Sequence, residues 1–407
     1  MKTSLKDEFL STLDGKKAEE ILRRCVHCGF CNATCPTYQE LSDERDGPRG
    51  RIYLIKQMLE NGEATEKTRT HLDRCLTCRS CETTCPSGVE YSQLLDIGKQ
   101  HIEKLVPRSF SDRTLRYGVT RILPNASWNK VMFRLARQFT FLMPDTFREQ
   151  IPTEQPLKSY PSATKTNRTM IAFRGCVQQT ATPNTVKAAK AVLSHLGIEL
   201  IEVAQEGCCG AVNLHLSEHE RAVQQAKRNI DVWWRYLEHG AEAIVMSASG
   251  CGVTIKDYPQ LLVESPYYRE RALVIAEKAK DLSEILLAED LTQLPLKTSN
   301  ERVAVHCPCT LQHGMKNKET YYEVLRRLGV EQTRKSEDHL CCGSAGTYSL
   351  FQPELSQQLL KRKMKALSEG DPEGIVTANI GCQLHLGSKA QVPVKHWIEL
   401  IAERLEN

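Results

Sequence analysis

Long apolar runs are missing from this sequence of 407 residues. No stretch approaches the roughly 20 consecutive apolar residues of a membrane-spanning helix, so we expect any membrane contact to be peripheral or made through a partner. The net charge is only +4, which argues against nucleic acid as a partner. The charged opening MKTSLKDEFL does not have the pattern of a secretory signal peptide, so we expect a reducing, cytoplasmic environment.

A dinucleotide-binding fingerprint is also missing. No G-x-G-x-x-G follows a predicted strand and opens a helix, so we expect neither flavin nor NAD on this chain. Removing a hydride from an organic substrate needs a cofactor of that kind. Any substrate oxidation is therefore expected to occur on a partner.

Cysteine, in contrast, is abundant, with 17 residues. Eight of them form two identical phrases, C-x2-C-x2-C-x3-C-P, which begin at Cys25 and at Cys75. This spacing is typical of bacterial ferredoxins with [4Fe–4S] clusters, in which the fourth cysteine of each phrase ligates the neighbouring cluster. The predicted ligands are Cys25, Cys28, Cys31 and Cys85 for cluster 1, and Cys75, Cys78, Cys81 and Cys35 for cluster 2.

Two other readings of the phrases fit less well. Structural zinc motifs usually separate their two C-x2-C halves by longer loops. Disulfide frameworks are typical of small secreted domains. We therefore predict a two-cluster domain over residues 1–105, with a helix in the segment GPRGRIYLIKQMLENGEA, where Pro48 suits the first turn. Arg45, Arg49 and Arg51 either offset cluster charge or belong to a solvated basic loop.

Residues 107–148 carry eight basic residues against two acidic ones. A helical apolar stripe runs through the same segment, which predicts an amphipathic helix that lies on an anionic membrane, docks a partner subunit or packs on its own domain. The stripe consists of Trp128, Val131, Met132, Leu135, Phe139 and Leu142. Residues 151–168 are rich in Pro, Ser and Thr and are predicted to be a linker.

The second half of the sequence is an internal repeat. Cys176 and the Cys208-Cys209-Gly210 step recur 133 residues later, and Cys251 recurs 131 residues later. Each unit alternates short apolar runs with helical segments, which predicts an α/β repeat with mostly parallel strands. The cysteines follow the strands and should converge at the carboxyl edge of each sheet. The recurring residues are Cys309, Cys341, Cys342 and Cys382.

These eight cysteines are candidates for a third iron–sulfur centre or a thiol active site, and buried apolar cysteines are the plain alternative. His306, Cys307 and His385 lie close to the second set in sequence. His215-Leu-Ser-Glu218-His219 matches the H-x-x-E-H pattern of zinc hydrolases, but so short a pattern occurs by chance, and we interpret it as a solvated helix face.

The two cysteine phrases, the GPRGRI segment and the two Cys-Cys-Gly repeats together resemble the iron–sulfur subunits of flavin-linked dehydrogenases over nearly the whole chain. The sequence is similar above all to bacterial glycolate oxidase iron–sulfur subunits. The resemblance implies an FAD-containing partner that oxidises a 2-hydroxy acid, glycolate or D-lactate. It also implies electron transfer through this subunit to quinone or another membrane acceptor, at the cytoplasmic face of the inner membrane.

Other family members keep alternatives open, namely the iron–sulfur subunit of anaerobic glycerol-3-phosphate dehydrogenase and a thiol/disulfide enzyme similar to heterodisulfide reductase. The sequence departs from the fullest family motif, since Thr254 and His385 stand where a last cysteine would follow Cys251 and Cys382. This departure argues against the non-cubane clusters of some relatives.

The predicted fold is α+β: an N-terminal helical, ferredoxin-like two-cluster domain, followed by a duplicated α/β Cys-Cys-Gly domain. The predicted boundaries are 1–105 for the cluster domain, 106–168 for the basic helix and linker, 169–295 for the first repeat and 296–407 for the second.

Overall fold

The N-terminal part of the chain is helical. The structure is a computed structural model that describes residues 1–139, 151–152 and 155–406, and strands occur only after residue 167 of that described part. The N-terminal helices are α1 (Asp7–Leu10), α2 (Leu13–Arg24), α3 (Phe30–Ala33), α4 (Pro36–Leu41), α5 (Pro48–Asn61), α6 (Glu66–Asp73), α7 (Ser80–Thr84), α8 (Tyr91–Leu105), α9 (Phe110–Ile122) and α10 (Ala126–Gln138).

Helix α5 forms where the sequence predicts it and organises the N-terminal core. Pro48 occupies its first turn, where a missing N–H costs no hydrogen bond, and Gly62 ends it with a φ of 75°. Its buried face packs against α8, which approaches closely because residue 98 is glycine: a β-carbon there would lie 2.8 Å from Ile55 Cγ1. Cysteines of both phrases pack against this helix pair in one hydrophobic core.

Each Cys-Cys-Gly repeat is a four-stranded parallel sheet flanked by helices, so the predicted fold class is confirmed. The first repeat contains β1 (Arg168–Phe173), α11 (Gln178–Ala181), α12 (Asn184–Ser194), β2 (Ile198–Glu202), α13 (Ala211–His215), α14 (His219–Glu238), β3 (Ile244–Met246), α15 (Ser249–Lys256), α16 (Tyr258–Leu261), α17 (Pro266–Lys278), β4 (Ala279–Asp281) and α18 (Leu282–Leu287).

The second repeat follows the same plan with a shorter connection between its last two strands. It contains β5 (Arg302–His306), a π-helical turn (Thr310–Gly314), α19 (Lys318–Arg327), β6 (Glu331–Gln332), α20 (Tyr348–Phe351), α21 (Pro353–Leu367), β7 (Gly374–Thr377), α22 (Ile380–Gly387), β8 (Val394–His396) and α23 (Trp397–Glu403).

The strand order places a ligand-binding crevice in each repeat. The strand orders are β2-β1-β3-β4 and β6-β5-β7-β8. In each sheet the second strand lies on one side of the first strand, and the third strand lies on its other side. Parallel sheets bind ligands at such switch points, outside the carboxyl ends of the two central strands. The duplicated sequence therefore produces two equivalent crevices.

The two repeats share one hydrophobic core, and the N-terminal domain packs on both of them. Between the repeats, His396 Nε2 lies 2.8 Å from the carbonyl oxygen of Ser247. The N-terminal domain reaches the first repeat through an Arg79–Asp257 ion pair. It reaches the second repeat through a Thr83 Oγ1–His313 Nδ1 contact of 2.8 Å and through the Tyr348 hydroxyl, which donates to the Arg74 carbonyl oxygen.

The described part of the basic segment 107–148 contains two helices, and the apolar stripe predicted as an amphipathic helix begins in the second of them, α10. Several arginines of the segment serve internal contacts: Arg108 pairs with Asp73 and Asp112, and Arg116 lies over the ring of Phe351. Helix α10 is different, since its apolar stripe is exposed. Leu142, also predicted for the stripe, lies outside the described residues.

The described part of the predicted linker, residues 155–167, has no helix or strand and runs along the repeats. The Lys158 amide donates to Asn184 Oδ1, and the Ala163 amide donates to Ser194 Oγ. Within the described residues, no helix combines the length and apolar character that crossing a bilayer requires.

The glycine of the second Cys-Cys-Gly step is expected to be irreplaceable. Gly343 has a φ of 91°, and a β-carbon there would lie 2.6 Å from the carbonyl oxygen of Ser356. We expect Gly343→Ala to lower the free energy of unfolding by about 2–5 kcal/mol, from left-handed strain plus overpacking.

Gly346→Ala is the matched control, because its φ of 64° carries the same kind of strain with no atom within 4 Å of the new methyl group. It should cost only about 1–2 kcal/mol. Urea denaturation followed by circular dichroism measures both variants. Equal destabilisation would show that the close contact at residue 343 is unimportant.

Candidate metal centres

The first cysteine cavity lies between the loop after α2 and the end of α7. Its lining includes the four cysteines predicted for cluster 1, Cys25, Cys28, Cys31 and Cys85, together with Cys81. His27 and Gly29 are left-handed, with φ of 57° and 84°, and alternation of this kind turns backbone N–H groups toward an anionic group. The structure thus brings together the four sulfurs predicted for cluster 1.

The second cavity lies on the other side of Tyr91 and Cys81, both of which line the two cavities. Its lining includes the four cysteines predicted for cluster 2: Cys35, Cys75, Cys78 and Cys81. Thr77 and Arg79 repeat the left-handed pair of the first loop, with φ of 52° and 60°. The fourth cysteine of each phrase therefore points into the cavity of the other phrase.

Burial makes these sulfurs suited to metal ions rather than to free thiolates. Burial, followed by the charges of Cys25 and Cys28, raises the pKa of Cys31 to about 11. Burial also raises the pKa values of Cys78 and Cys81 well above the ordinary range. Bound iron would replace these protons, since a metal ligand must be a thiolate. Four sulfurs around each cavity fit an iron–sulfur cluster.

The two cavities differ in their exposure to solvent. Cys28 is exposed at the rim of the first cavity, where Val26 and Phe30 are 68% and 60% exposed. The second cavity adjoins the second repeat, since Leu76 and Cys78 of its lining pack with Cys341 and Tyr348, and it is richer in polar contacts. The Tyr91 hydroxyl donates to Cys75 Sγ at 3.7 Å, and Thr37 Oγ1 lies 3.3 Å from Cys35 Sγ.

The three arginines that the sequence left undecided have separate roles. Arg51 is fully buried, donates to the His71 carbonyl oxygen and to Thr37 Oγ1, and places its charge beside Cys75 and Cys35. Arg45 is exposed and pairs with Asp43. Only Arg51 is thus a buried cation at the second cavity.

Arg49 is half-exposed and pairs with Glu44 at 2.6 Å, close to the first cavity. The buried carboxylate of Asp46 contacts Arg51, Arg74 and His71, at 3.5, 3.0 and 3.0 Å. Sequence reasoning missed this group, together with Thr37 and Tyr91. No spacing rule marks them, because they reach the cavity from α4, α6 and α8 only after folding.

The cysteines of the repeats converge at the carboxyl edges of the sheets, as expected. In the first repeat Cys176 Sγ lies 3.4 Å from Cys208 Sγ, and hydrogen bonds continue from Cys208 to Cys209 and on to Cys251. These hydrogen bonds lower the pKa of Cys209. The contacts among these sulfurs run within the repeat, so the cysteines form a row of four.

The second repeat contains an equivalent row of four cysteines, which lies beside the second cavity. Cys309 Sγ lies 3.7 Å from Cys341 Sγ, and the row continues through Cys342 to Cys382. Cys309 and Cys341 pack with Cys78 in one apolar cluster that also contains Leu76 and Tyr348. One row of repeat cysteines thus adjoins the cavity of the second cluster.

The H-x-x-E-H segment is not a solvated helix face, so that interpretation was wrong for His215. Burial lowers the pKa of His215 to about 4, and its ring lies near Cys209. The two histidines also sit on different helices, α13 and α14, separated by left-handed Ser217. His219 contacts Gln100 Nε2 at 3.2 Å. The arrangement therefore lacks the single helix face that a zinc hydrolase needs.

Arg51 should set the reduction potential of the second centre. We expect Arg51→Gln to lower the potential of one cluster by at least about 60 mV, since a buried cation stabilises the more negative, reduced state. Arg49→Gln is the matched control and should have a smaller effect, because solvent screens its charge. Redox titration followed by electron paramagnetic resonance measures both, and Arg51→Lys should restore part of the potential. Equal shifts for the two glutamine variants would contradict this assignment.

Comparisons with known proteins agree with the fold and the cysteine pattern. The 4Fe-4S dicluster domain model matches residues 21–89, and the cysteine-rich domain model matches residues 170–256 and 303–387. A crystal structure of a hypothetical protein from Helicobacter pylori is similar in fold, with a TM-score of 0.58 and 11% identity over 98% of this chain and 76% of that chain.

Curated relatives match the whole chain or part of it. The glycolate oxidase iron-sulfur subunit of Escherichia coli (strain K12) is 47% identical over 100% of both chains. A probable glycolate oxidase iron-sulfur subunit of Bacillus subtilis (strain 168) is 28% identical over 98% of this chain and 96% of its own. Lactate utilization protein A of Bacillus pumilus (strain SAFR-032) is 27% identical over 57% of this chain and 98% of its own. The chain therefore belongs to the family of glycolate oxidase iron-sulfur subunits.

Proposed function

We propose that this chain is the electron-transfer subunit of a glycolate-oxidising complex. In this proposal an FAD-containing partner oxidises the 2-hydroxy acid, glycolate or D-lactate, and this chain passes the electrons toward quinone. The observation that carries the proposal is a pair of adjacent cavities, each lined by three cysteines of one phrase and the fourth cysteine of the other. The chain is also similar along its whole length to a glycolate oxidase iron-sulfur subunit.

The residues of this chain would hold two [4Fe–4S] clusters, and bound clusters supply one-electron chemistry. Cys25, Cys28, Cys31 and Cys85 would hold one cluster, and Cys35, Cys75, Cys78 and Cys81 would hold the other. The exposed rim formed by Val26, Cys28 and Phe30 suits a redox partner, because an apolar edge at a surface cavity is typical of a docking site. The second cavity adjoins the second repeat instead, because Cys78 of its lining packs with Cys341 and Tyr348.

Replacement of one ligand separates electron transfer from substrate oxidation. We expect Cys28→Ser to reduce the iron content of the complex by about one cluster and to abolish glycolate-dependent reduction of a quinone analogue. Reduction of the partner's flavin by glycolate should persist, since that step needs no residue of this chain. Stopped-flow absorbance measures flavin reduction, and steady-state assays measure quinone reduction.

Cys307→Ser is the control for this experiment, since Cys307 is buried but lines neither of the two cysteine cavities. It should leave quinone reduction within about twofold of wild type. Unchanged quinone reduction in Cys28→Ser, with the cluster missing, would contradict the relay. Turnover of a disulfide substrate by this chain without a flavoprotein would favour the thiol/disulfide alternative instead.

We also propose that helix α10 holds the complex on the cytoplasmic face of the inner membrane. Trp128, Val131 and Leu135 are 59%, 48% and 48% exposed along one side of the helix, and Lys130 and Arg134 are exposed beside them. An exposed apolar stripe flanked by basic residues is the pattern of a helix that lies in an anionic membrane surface.

Charge reversal on α10 tests the membrane contact. We expect the double variant Lys130→Glu and Arg134→Glu to weaken binding to vesicles containing phosphatidylglycerol at least tenfold, since each basic residue near such a surface contributes about 1 kcal/mol. The control is Lys187→Glu with Lys361→Glu, which makes the same change in charge at exposed positions of the two repeats. Flotation assays measure binding. Equal binding by both double variants would refute a role for α10.

A further inference from the structure

The second repeat contains a group of metal-binding side chains that the first repeat lacks. His306 is the last residue of β5, and the residue 133 positions earlier, at the end of β1, is Phe173. Phe173 packs edge-on against Trp233 and has no ligand atom. The duplication thus conserves the cysteine row but places an imidazole at the end of the first strand in the second repeat alone.

His306 lies within reach of two thiols. One ring nitrogen of His306 and the sulfurs of Cys342 and Cys382 lie within 4.8 Å of one another, and all three side chains are buried. A single tetrahedral ion with metal–nitrogen bonds of about 2.0 Å and metal–sulfur bonds of about 2.3 Å holds its donors about 3.5–4 Å apart. Small adjustments of these side chains would therefore bring all three to one ion.

The hydrogen bonds of His306 leave one nitrogen available. Its Nδ1 lies 3.0 Å from Thr377 Oγ1, its neighbour across the β5–β7 pair. Its Nε2 is buried and has no hydrogen-bond partner among the described residues. Metal-bound histidines usually have this arrangement, in which one nitrogen binds the ion and the other is fixed by a hydrogen bond. A buried ring nitrogen left without a partner is otherwise costly.

The surroundings also suit a metal–thiolate group. Asn379 Nδ2 donates to Cys382 Sγ at 3.5 Å, which fixes the orientation of that ligand. The buried Lys363 places its charge near Cys342, and its Nζ donates to the Glu337 carbonyl oxygen. The group lies outside the carboxyl ends of β5 and β7, at the switch point of the second sheet, where parallel sheets bind ligands.

We propose that His306, Cys342 and Cys382 bind a single zinc ion. Two thiolates and one neutral imidazole form a donor set that zinc prefers, and three protein ligands leave a fourth position of the tetrahedron for water or another donor. This site is separate from the two four-cysteine cavities, and it stands whether or not the chain transfers electrons.

Metal analysis of the full chain tests the site. Anaerobically purified protein should contain one tightly bound zinc in addition to its iron. The variant His306→Phe introduces the residue that the first repeat carries and should lose that zinc without loss of iron. Cys382→Ser should do the same. The control is His385→Asn, because His385 is a buried histidine of the same repeat that contacts Ser356 Oγ instead, and this variant should keep its zinc.

X-ray absorption at the zinc edge of the unaltered protein gives a readout that does not depend on the folding of any variant. It should show two sulfur neighbours at about 2.3 Å and at least one nitrogen neighbour at about 2.0 Å. The proposal is overturned if the protein binds no zinc, or if zinc persists in folded His306→Phe. It is equally overturned if the iron content falls in that variant, since these residues would then belong to an iron–sulfur cluster.

Discussion

A buried sulfur keeps a negative charge only when a cation or hydrogen-bond donors lie beside it, and this constraint underlies the N-terminal half of the molecule. Burial raises the pKa of Cys31 to about 11 and also raises the pKa of Cys78, so the folded chain places thiols where metal binding would make them thiolates. Because the fourth cysteine of each phrase lines the cavity of the other, metal binding would also join the two halves of this helical domain.

The two cavities differ in solvent exposure and in the groups that surround their sulfurs. The first is open at Cys28 and has an apolar rim, whereas the second has Arg51, the Tyr91 hydroxyl and Thr37 close to its sulfurs. Hydrogen bonds and buried cations raise the potential of a cluster, and solvent exposure changes it as well. A surface centre of lower potential and a buried centre of higher potential would direct electrons inward, toward the repeats.

Local patterns in the sequence were enough to predict the cysteine grouping, helix α5 and the duplicated parallel sheets, since each depends on spacing within one segment. Contacts between segments were not predictable in this way. Arg51 became a buried cation only because Asp46, His71 and Thr37 fold around it. His215 was interpreted as part of a solvated helix face because a polar helix follows it in the sequence, whereas the fold places it near Cys209. The break between α9 and α10, in contrast, has a local signal, since Pro124 and Asn125 stand between the two helices and Asn125 caps α10.

The presence of two [4Fe–4S] clusters is tested most directly by measuring iron and acid-labile sulfide in anaerobically purified protein. Electron paramagnetic resonance is recorded on the same protein after reduction with dithionite. Two [4Fe–4S] clusters predict about eight iron and about eight sulfide per chain. Their proximity also predicts a spectrum broadened by the interaction of two reduced clusters. Protein that contains neither iron nor sulfide, or one isolated cluster without such an interaction, would contradict the account.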